Sequence, residues 1–177
     1  MDNNWYQRFV IDGKPTTKVG FMNDRYYNKI EPLLPTNLSE KHVIDLCCNA
    51  GFVSFKLAEK GAHVIGVECD LKFYNQALYI RSIPGLFNTS PVPTFINKDV
   101  EDFNFEDYSP DLVLALSCIY HLSNPSLMVS RLSSLNAVII ASFRQNNLDK
   151  YLDLFSKQGL VPTKVNTYGR KTAVRFN

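Results

Sequence analysis

The stretch from Val43 to Asp70 constrains the fold of this chain more than any other. It contains a short apolar run, a turn, an amphipathic run and a second apolar run that ends on an acid. In order along the chain, these are residues 43–47, 48–51, 52–60 and 62–67, with Glu68 last. The periodicities predict a buried strand, a helix and a second strand. Strand, tight turn, helix, strand and acid is the plan of a nucleotide-binding βαβ unit.

The turn and the final acid of this unit carry the chemistry that a nucleotide site requires. Gly51 has no Cβ atom, so we expect its backbone to lie against a ligand. Free N–H groups at the start of the following helix favour an anionic group. The carboxylate of Glu68 can accept two hydrogen bonds from a ribose diol, and Asp45 on the first strand can reach the turn or an ammonium group.

These residues resemble motif I and the acid that follows it in the class I S-adenosylmethionine (SAM) methyltransferases. The family pattern is D-x-G-x-(G/N)-x-G, with an acid about 20 residues further on. The matching positions are Asp45, Asn49, Gly51 and Glu68. Cys47 stands where the first glycine is usual, and we expect its side chain to crowd the methionine end of the cofactor.

The resemblance implies that SAM is the cofactor and that its binding residues come from the ends of successive strands. Asp99, after the third strand, has the position where family members place an acid or amide beside the adenine, although a turn cap is the structural alternative. The residues that we assign to cofactor binding are Asp45, Cys47, Asn49, Gly51, Phe52, Glu68, Cys69, Asp99, Val100 and Ser117.

Beyond the βαβ unit, the chain continues to alternate strands and helices. We predict helices over 71–83, 124–135 and 148–158, strands over 94–97, 111–117 and 136–143, and a terminal hairpin of strands over 161–166 and 171–176. The resemblance implies a single α/β domain over residues 1–177. Its fold is the Rossmann-like class I methyltransferase fold, a mostly parallel seven-stranded sheet with a C-terminal antiparallel hairpin.

Residues 1–40 form a predicted N-terminal arm that is rich in aromatic side chains. Trp5-Tyr6, a turn at 13–15 and Thr16-Thr17 resemble the lead-in of some small methyltransferases related to the tRNA wobble-uridine enzymes. A short helix over 24–33 follows and is stopped by prolines. The arm either packs over one end of the sheet or closes over the cofactor, and we predict that it covers the cofactor site.

The segment after the fourth strand, LSCIYHLSNP over 116–125, is the predicted catalytic segment. It resembles the L-Y-H-L-x-(D/N)-P segment of glycan, small-molecule and wobble-uridine methyltransferases. Ligands in open α/β sheets bind outside the carboxyl ends of the strands, so this segment is expected to face the transferred methyl group. Tyr120 and His121 are therefore the predicted catalytic residues, with His121 as a base for an acceptor hydroxyl. The alternative is a structural histidine that packs against the next helix.

Basic residues gather late in the chain, and two of them are candidates for substrate contact. Arg144 follows the fifth strand at its carboxyl end, and we assign it to the substrate together with Tyr120. The hairpin lysines and arginines form either a solvated face or a patch for a phosphate or carboxylate. In the wobble-uridine enzymes the donor is carboxy-SAM, whose carboxylate here would have Tyr120 and, by position, Arg170. The lysine that those enzymes supply has no clear counterpart, although Lys14 or Lys18 could approach. We therefore expect SAM to bind more tightly than carboxy-SAM.

Composition and charge bear on the possible partners, the metal content and the location of the protein. The net charge of +2 neither requires nor excludes a polyanionic partner. The four cysteines lack metal-ligand spacing, so we predict no metal site and buried thiols in a reducing compartment. The start lacks the pattern of a signal peptide, and no apolar run approaches the length of a membrane span. We expect a cytoplasmic protein without membrane contact.

The predicted function is SAM-dependent methyl transfer to a hydroxyl of a small molecule or sugar. The first alternative is an RNA methyltransferase related to the tRNA wobble-uridine group, so nucleic acid is a possible but less favoured partner. The second alternative is a SAM-binding regulatory protein that has lost catalysis, with Cys47 as the sign of that loss.

Overall fold

A seven-stranded mixed sheet is the centre of the molecule. The computed structural model describes residues 5–18 and 24–177. The strands are β1 (Val10–Ile11), β2 (Lys14–Pro15), β3 (His42–Leu46), β4 (His63–Glu68), β5 (Thr94–Asn97), β6 (Leu112–Leu116), β7 (Val138–Arg144), β8 (Pro162–Tyr168) and β9 (Lys171–Phe176). The α-helices are α1 (Asp24–Ile30), α2 (Phe52–Ala58), α3 (Leu71–Ser82), α4 (Pro125–Ser133) and α5 (Leu148–Lys157).

The strand order β5-β4-β3-β6-β7-β9-β8 creates a crevice beside β3. The first five strands of this order are parallel, and β9 and β8 are antiparallel to their neighbours. The chain leaves β3 toward β4 on one side and later returns to β6 on the other. Connections that diverge to opposite sides open a crevice at the carboxyl ends of the strands, and such crevices bind ligands.

Alternating strand residues bury the two faces of the sheet against different helices. Val43 and Leu114 belong to one apolar cluster, which contains side chains of α1, α2 and α3. Ile44 and Val113 belong to the other, which contains side chains of α4 and α5. Because successive strand residues point to opposite faces, a strand that is apolar at every position is covered on both sides. Each residue of β6 is buried in this way.

The predicted fold class is confirmed, and the element bounds differ only at their ends. Arg144 is the last residue of β7 and does not follow it. The predicted helix over 24–33 stops at Ile30 and continues as a 3₁₀ turn that contains Pro32. Residues 1–4 and 19–23 of the predicted arm lie outside the described residues. None of the helices in the described residues has the length and apolar character needed to span a membrane.

Gly51 lacks a side chain for a reason different from the one predicted. A Cβ atom built on Gly51 would lie 2.5 Å from Cζ of Phe95, a buried side chain of β5. Gly51 also has a φ of 81°, in the left-handed region that favours glycine. The space beside Gly51 is therefore filled by the protein core, and the expectation that a ligand lies against this glycine is wrong at its Cβ side.

Asp45 is a buried acid that joins β3 to α2. Its Oδ2 accepts a hydrogen bond of 2.6 Å from the Ser54 hydroxyl on α2. Burial raises the pKa of Asp45 from 3.8 to about 7; the Ser54 bond opposes this shift, and the negative charge of Glu68 adds to it. A carboxyl group with this pKa holds its proton in the folded state under conditions in which the unfolded chain has lost it.

We predict that Asp45→Asn stabilises the protein at high pH. Between about pH 4 and pH 7 the folded state binds the extra proton, so the free energy of unfolding of the wild type falls as pH rises, by up to about 4 kcal/mol. An asparagine at this position does not titrate and escapes the loss. Urea unfolding at pH 5 and pH 8 measures the difference, with Asp149→Asn, an exposed acid of α5, as the control. Parallel pH profiles for wild type and Asp45→Asn would contradict the prediction.

Candidate functional site

The candidate site lies at the carboxyl edge of the parallel strands. The segments that follow β3, β4, β5 and β6 meet there, and β7 ends there with Arg144. Because β9 runs antiparallel to β7, its first residue, Lys171, pairs with Arg144 and lies at the same edge. The edge therefore combines the predicted cofactor residues with side chains from the end of the chain.

The turn after β3 has an unusual backbone that matches the sequence pattern. Cys47, Asn49 and Gly51 have φ values of 53°, 56° and 81°, so alternate residues are left-handed. These are the glycine or asparagine positions of motif I. Left-handed backbone costs a residue with a Cβ atom about 1–2 kcal/mol, which explains why glycine is usual at the first position. Cys47 bears this cost.

Cys47 is paired with Cys118 in a disulfide. The two Cα atoms are 5.8 Å apart, and the bond joins the end of β3 to the segment after β6. The prediction of unpaired buried thiols is wrong for these two residues. It holds for Cys48, which is free and buried, whereas Cys69 is free and exposed. The pair forms because β3 and β6 are parallel neighbours, which brings together residues that are far apart in sequence.

The N-terminal arm is hydrogen-bonded to the same turn through Gln7. The side chain of Gln7 is buried; its Nε2 donates to the carbonyl of Cys48, and its Oε1 accepts from the N–H of Phe52, each at about 3 Å. Within the arm, the Thr16 hydroxyl accepts a hydrogen bond from the Phe9 N–H and donates one to the Gln7 carbonyl. The first N–H group of α2 is thus taken by the protein, and the expectation that it is free for an anionic ligand is wrong.

Glu68 has the central position among the predicted cofactor residues. Its Oε2 accepts from the N–H of Asn49 at 2.8 Å, and its Oε1 accepts from the N–H of Asp70 at 2.9 Å. Glu68 is buried, with 6% of the residue exposed, at the end of β4. Oε1 also accepts from the Cys69 thiol at 3.8 Å, which is a weak donor, and Oε2 has a second lone pair, so the group can still accept hydrogen bonds from a diol.

The other predicted cofactor residues are divided between the edge and the core. Asp99 Oδ1 accepts from the N–H of Glu101 at 2.9 Å and caps a 3₁₀ turn, as the structural alternative proposed. Asn49 and Cys69 lie at the edge, and Val100 is buried beneath it. Phe52 is buried against Phe9 and Phe87, so its side chain belongs to the core.

Ser117 is at the centre of a polar cluster on the other side of the edge. It has a φ of 59°, its N–H donates to Ser142 Oγ at 2.9 Å, and its Oγ accepts from Lys171 Nζ at 2.8 Å. The Tyr26 hydroxyl lies 3.3 Å from Ser142 Oγ. The cluster therefore joins the segment after β6 to β7, β9 and α1 around the half-buried ammonium group of Lys171.

Tyr120 and His121 lie beside this cluster in a 3₁₀ turn over Ile119–His121. Their ring centroids are 4.5 Å apart, and the His121 side chain is exposed. The Arg144 guanidinium lies 5.6 Å from the centre of the Tyr120 ring. Tyr6 of the arm is near enough to Tyr120 and Arg144 for their charges to affect its pKa, which burial raises.

Sequence reasoning missed two residues of this edge, Gln7 and Ser142, and left a third, Lys171, among hairpin cations that form either a solvated face or an anion patch. The three come from distant segments, and only Lys171 had a detectable signal, because a hairpin that returns along β7 must start β9 at the carboxyl edge. The hairpin arginine suggested for a carboxylate, Arg170, is exposed in the turn, and Lys171 has the inward position.

A separate cavity of about 350 Å³ lies at the opposite edge of the sheet. Its lining includes His42, His63, Pro91 and Tyr108. His42 and His63 begin β3 and β4, and the lining reaches Ile44 and Ile65, so the cavity lies along the amino-terminal halves of these strands. None of the predicted site residues lines it.

Comparison with known proteins identifies relatives of this chain. The methyltransferase domain family matches residues 43–136. The chain is 28% identical over 109 residues to tRNA U34 carboxymethyltransferases from two strains of Campylobacter jejuni subsp. jejuni. Each match covers 61% of this chain and 35% of the relative, so the chain spans about a third of the length of the curated proteins that it matches.

Solved structures of low sequence identity share the fold. Magnesium protoporphyrin IX methyltransferase from Synechocystis PCC 6803, solved with bound SAM, is 22% identical, with a TM-score of 0.68 over 86% of this chain and 76% of that chain. A putative SAM-dependent methyltransferase from Listeria monocytogenes is 16% identical, with a TM-score of 0.70 over 85% and 96%. Because the family match covers more than half of the chain and the sheet order agrees with it, the chain belongs to the methyltransferase domain family of class I SAM-dependent methyltransferases.

Proposed function

We propose that this protein transfers a methyl group from SAM to a hydroxyl of a small-molecule acceptor. The observation that carries the proposal is the carboxylate of Glu68, which lies at the end of β4 and is hydrogen-bonded to the left-handed turn over 47–51. A carboxylate with spare lone pairs beside a turn of this shape fits a ribose at the crevice next to β3.

The cofactor half of the site would use residues on β3, β4 and β5. Glu68 would accept the ribose hydroxyl groups, Asn49 and Cys69 would border them, and Asp99 and Val100 would flank the adenine. Cys47, Gly51 and Ser117 would border the methionine part through their backbone. Asp45 would act indirectly, because its contact with Ser54 orients α2 behind the turn.

The acceptor half of the site would use the segment after β6. When bound, SAM supplies a methyl group on a sulfonium, which is a strong electrophile and needs only an aligned nucleophile. The exposed imidazole of His121 can take the proton of an acceptor hydroxyl, and the Tyr120 phenol can position that hydroxyl by a hydrogen bond. The packing of the two rings, with centroids 4.5 Å apart, holds both groups on one short turn.

A second candidate is carboxymethyl transfer to RNA from carboxy-SAM. The similarity to the Campylobacter tRNA U34 carboxymethyltransferases favours it. The expectation that a donor carboxylate lacks partners here is weakened, because Arg144 and Lys171 both lie beside the Tyr120 segment. We keep methyl transfer as the first candidate, and the choice of donor is one outcome of the experiments below.

We predict that Glu68→Ala weakens SAM binding by about 1.5–3 kcal/mol, because two hydrogen bonds to a charged acceptor are lost. Isothermal titration calorimetry of the folded variant measures this as a roughly 10–100-fold increase in Kd. Glu106→Ala, an exposed acid distant from β4 in sequence, is the control and should bind SAM like the wild type. Unchanged affinity in a folded Glu68→Ala variant would remove the basis of the cofactor assignment.

We predict that His121→Ala and Tyr120→Phe reduce methyl transfer at least about tenfold and leave SAM affinity within about twofold, because both residues act on the acceptor. Transfer of labelled methyl from SAM is measured with a set of hydroxyl-bearing small molecules and with bulk tRNA. His42→Ala, at the opposite edge, is the matched histidine control. Transfer to tRNA alone would favour the second candidate, and SAM binding without transfer to any acceptor would contradict both.

A further inference from the structure

Arg144 and Lys171 form a pair of like charges on one face of the sheet. They are direct partners in the antiparallel ladder of β7 and β9, and direct partners point to the same face. Like charges in this arrangement repel each other and destabilise a strand pair. Burial of the ammonium group and, to a smaller extent, the charge of Arg144 lower the pKa of Lys171.

No acid in the described residues compensates this pair. The ion pairs found there use Lys41, Lys56, Lys60, Lys157 and His63. Lys171 Nζ instead contacts the Ser117 hydroxyl at 2.8 Å and lies 5.6 Å from the centre of the Tyr26 ring. The Arg144 guanidinium lies over the Tyr120 ring. Two adjacent cations held by hydroxyl and aromatic groups leave their positive charge available to an external anion.

The location of Arg144 and Lys171 in the sheet indicates that they would contact the acceptor substrate. In the sheet order, β6 and then β7 and β9 lie beyond β3, and neighbouring strands are about 4.8 Å apart. The backbone of Lys171 is therefore about three strand spacings from the turn that would hold the cofactor, or roughly 14 Å, and its side chain reaches back to the Ser117 hydroxyl after β6. The catalytic segment, with Tyr120, follows β6 between them. Because the Arg144 guanidinium lies over the Tyr120 ring, an anion held by both side chains would lie beside Tyr120.

We propose that Arg144 and Lys171 bind a carboxylate or phosphate group of the acceptor, so that the substrate is an anionic small molecule. This inference rests on the proposed function. The guanidinium supplies two parallel N–H donors, and the ammonium supplies a point charge beside it. The anion relieves the repulsion between the two cations and anchors the acceptor with its hydroxyl in front of Tyr120 and His121. Such anchoring contributes to the rate by orientation.

The test uses inorganic phosphate and acetate as probes, because they report on the subsite without a known acceptor. The variants are Lys171→Met and Arg144→Met, which keep most of the apolar stem and remove the charge. Arg170→Met, the exposed neighbour in the hairpin turn, is the control for loss of one positive charge. Titration followed by NMR or calorimetry gives the anion affinity, and thermal unfolding at low salt gives the stability.

We expect wild type and Arg170→Met to bind phosphate with equal affinity, and each site variant to bind it at least tenfold more weakly. Without anion, each site variant should unfold at a higher temperature than the wild type, because the repulsion is gone. Once an acceptor is known, Arg144→Met should raise its KM and leave the Kd of SAM unchanged. Equal phosphate affinity in all four proteins would overturn the inference.

The donor is the other possible source of the anion, and a competition between SAM and carboxy-SAM distinguishes it. We expect Lys171→Met to leave the ratio of the two affinities unchanged. A wild-type preference of tenfold or more for carboxy-SAM that is lost in Lys171→Met would assign the anion to the donor and overturn the inference. Phosphate binding at the pair in a protein that does not bind SAM would instead contradict the proposed function and leave the anion subsite in place.

Discussion

The hydrogen bond from Asn49 N–H to the Glu68 carboxylate is the interaction on which the rest of the site depends. It joins the turn after β3 to the end of β4 and fixes a backbone with three left-handed residues. Gln7 holds the other side of the turn through Cys48 and Phe52. A turn with left-handed residues costs conformational free energy. It persists because the Glu68 carboxylate, the Gln7 amide and the disulfide to Cys118 each hold it from a different part of the fold.

The fold was predictable because each apolar run is contiguous in the sequence. β3, β4 and β6 are buried at nearly every position, which is typical of central parallel strands, and their order follows from the βαβ pattern. The geometry of the candidate cofactor half could be anticipated for the same reason, since the turn and Glu68 belong to one stretch, and the roles of these residues stay a prediction. Even there, the sequence did not reveal that Phe95 fills the space beside Gly51.

The acceptor half was much less predictable, because it is assembled from distant segments. Ser142 and Lys171 meet the predicted residues only after the sheet has formed. Gln7 reaches the cofactor turn from the N-terminal arm in the same way. The contact between Cys47 and Cys118 depends on the adjacency of β3 and β6, for which cysteine spacing gives no signal. The hairpin lysines and arginines were predicted only as a solvated face or an anion patch, because the residue directed toward the site is decided by the pairing of β9 with β7.

The most direct test of the account is a crystal structure of the protein with S-adenosylhomocysteine, the product that SAM leaves after methyl transfer. We expect the ribose hydroxyl groups within hydrogen-bond distance of the Glu68 carboxylate and the sulfur on the side of Tyr120 and Ser117. The contradicting result is a ligand in the cavity at the opposite edge, beside His42 and His63, or a ribose that makes no contact with Glu68.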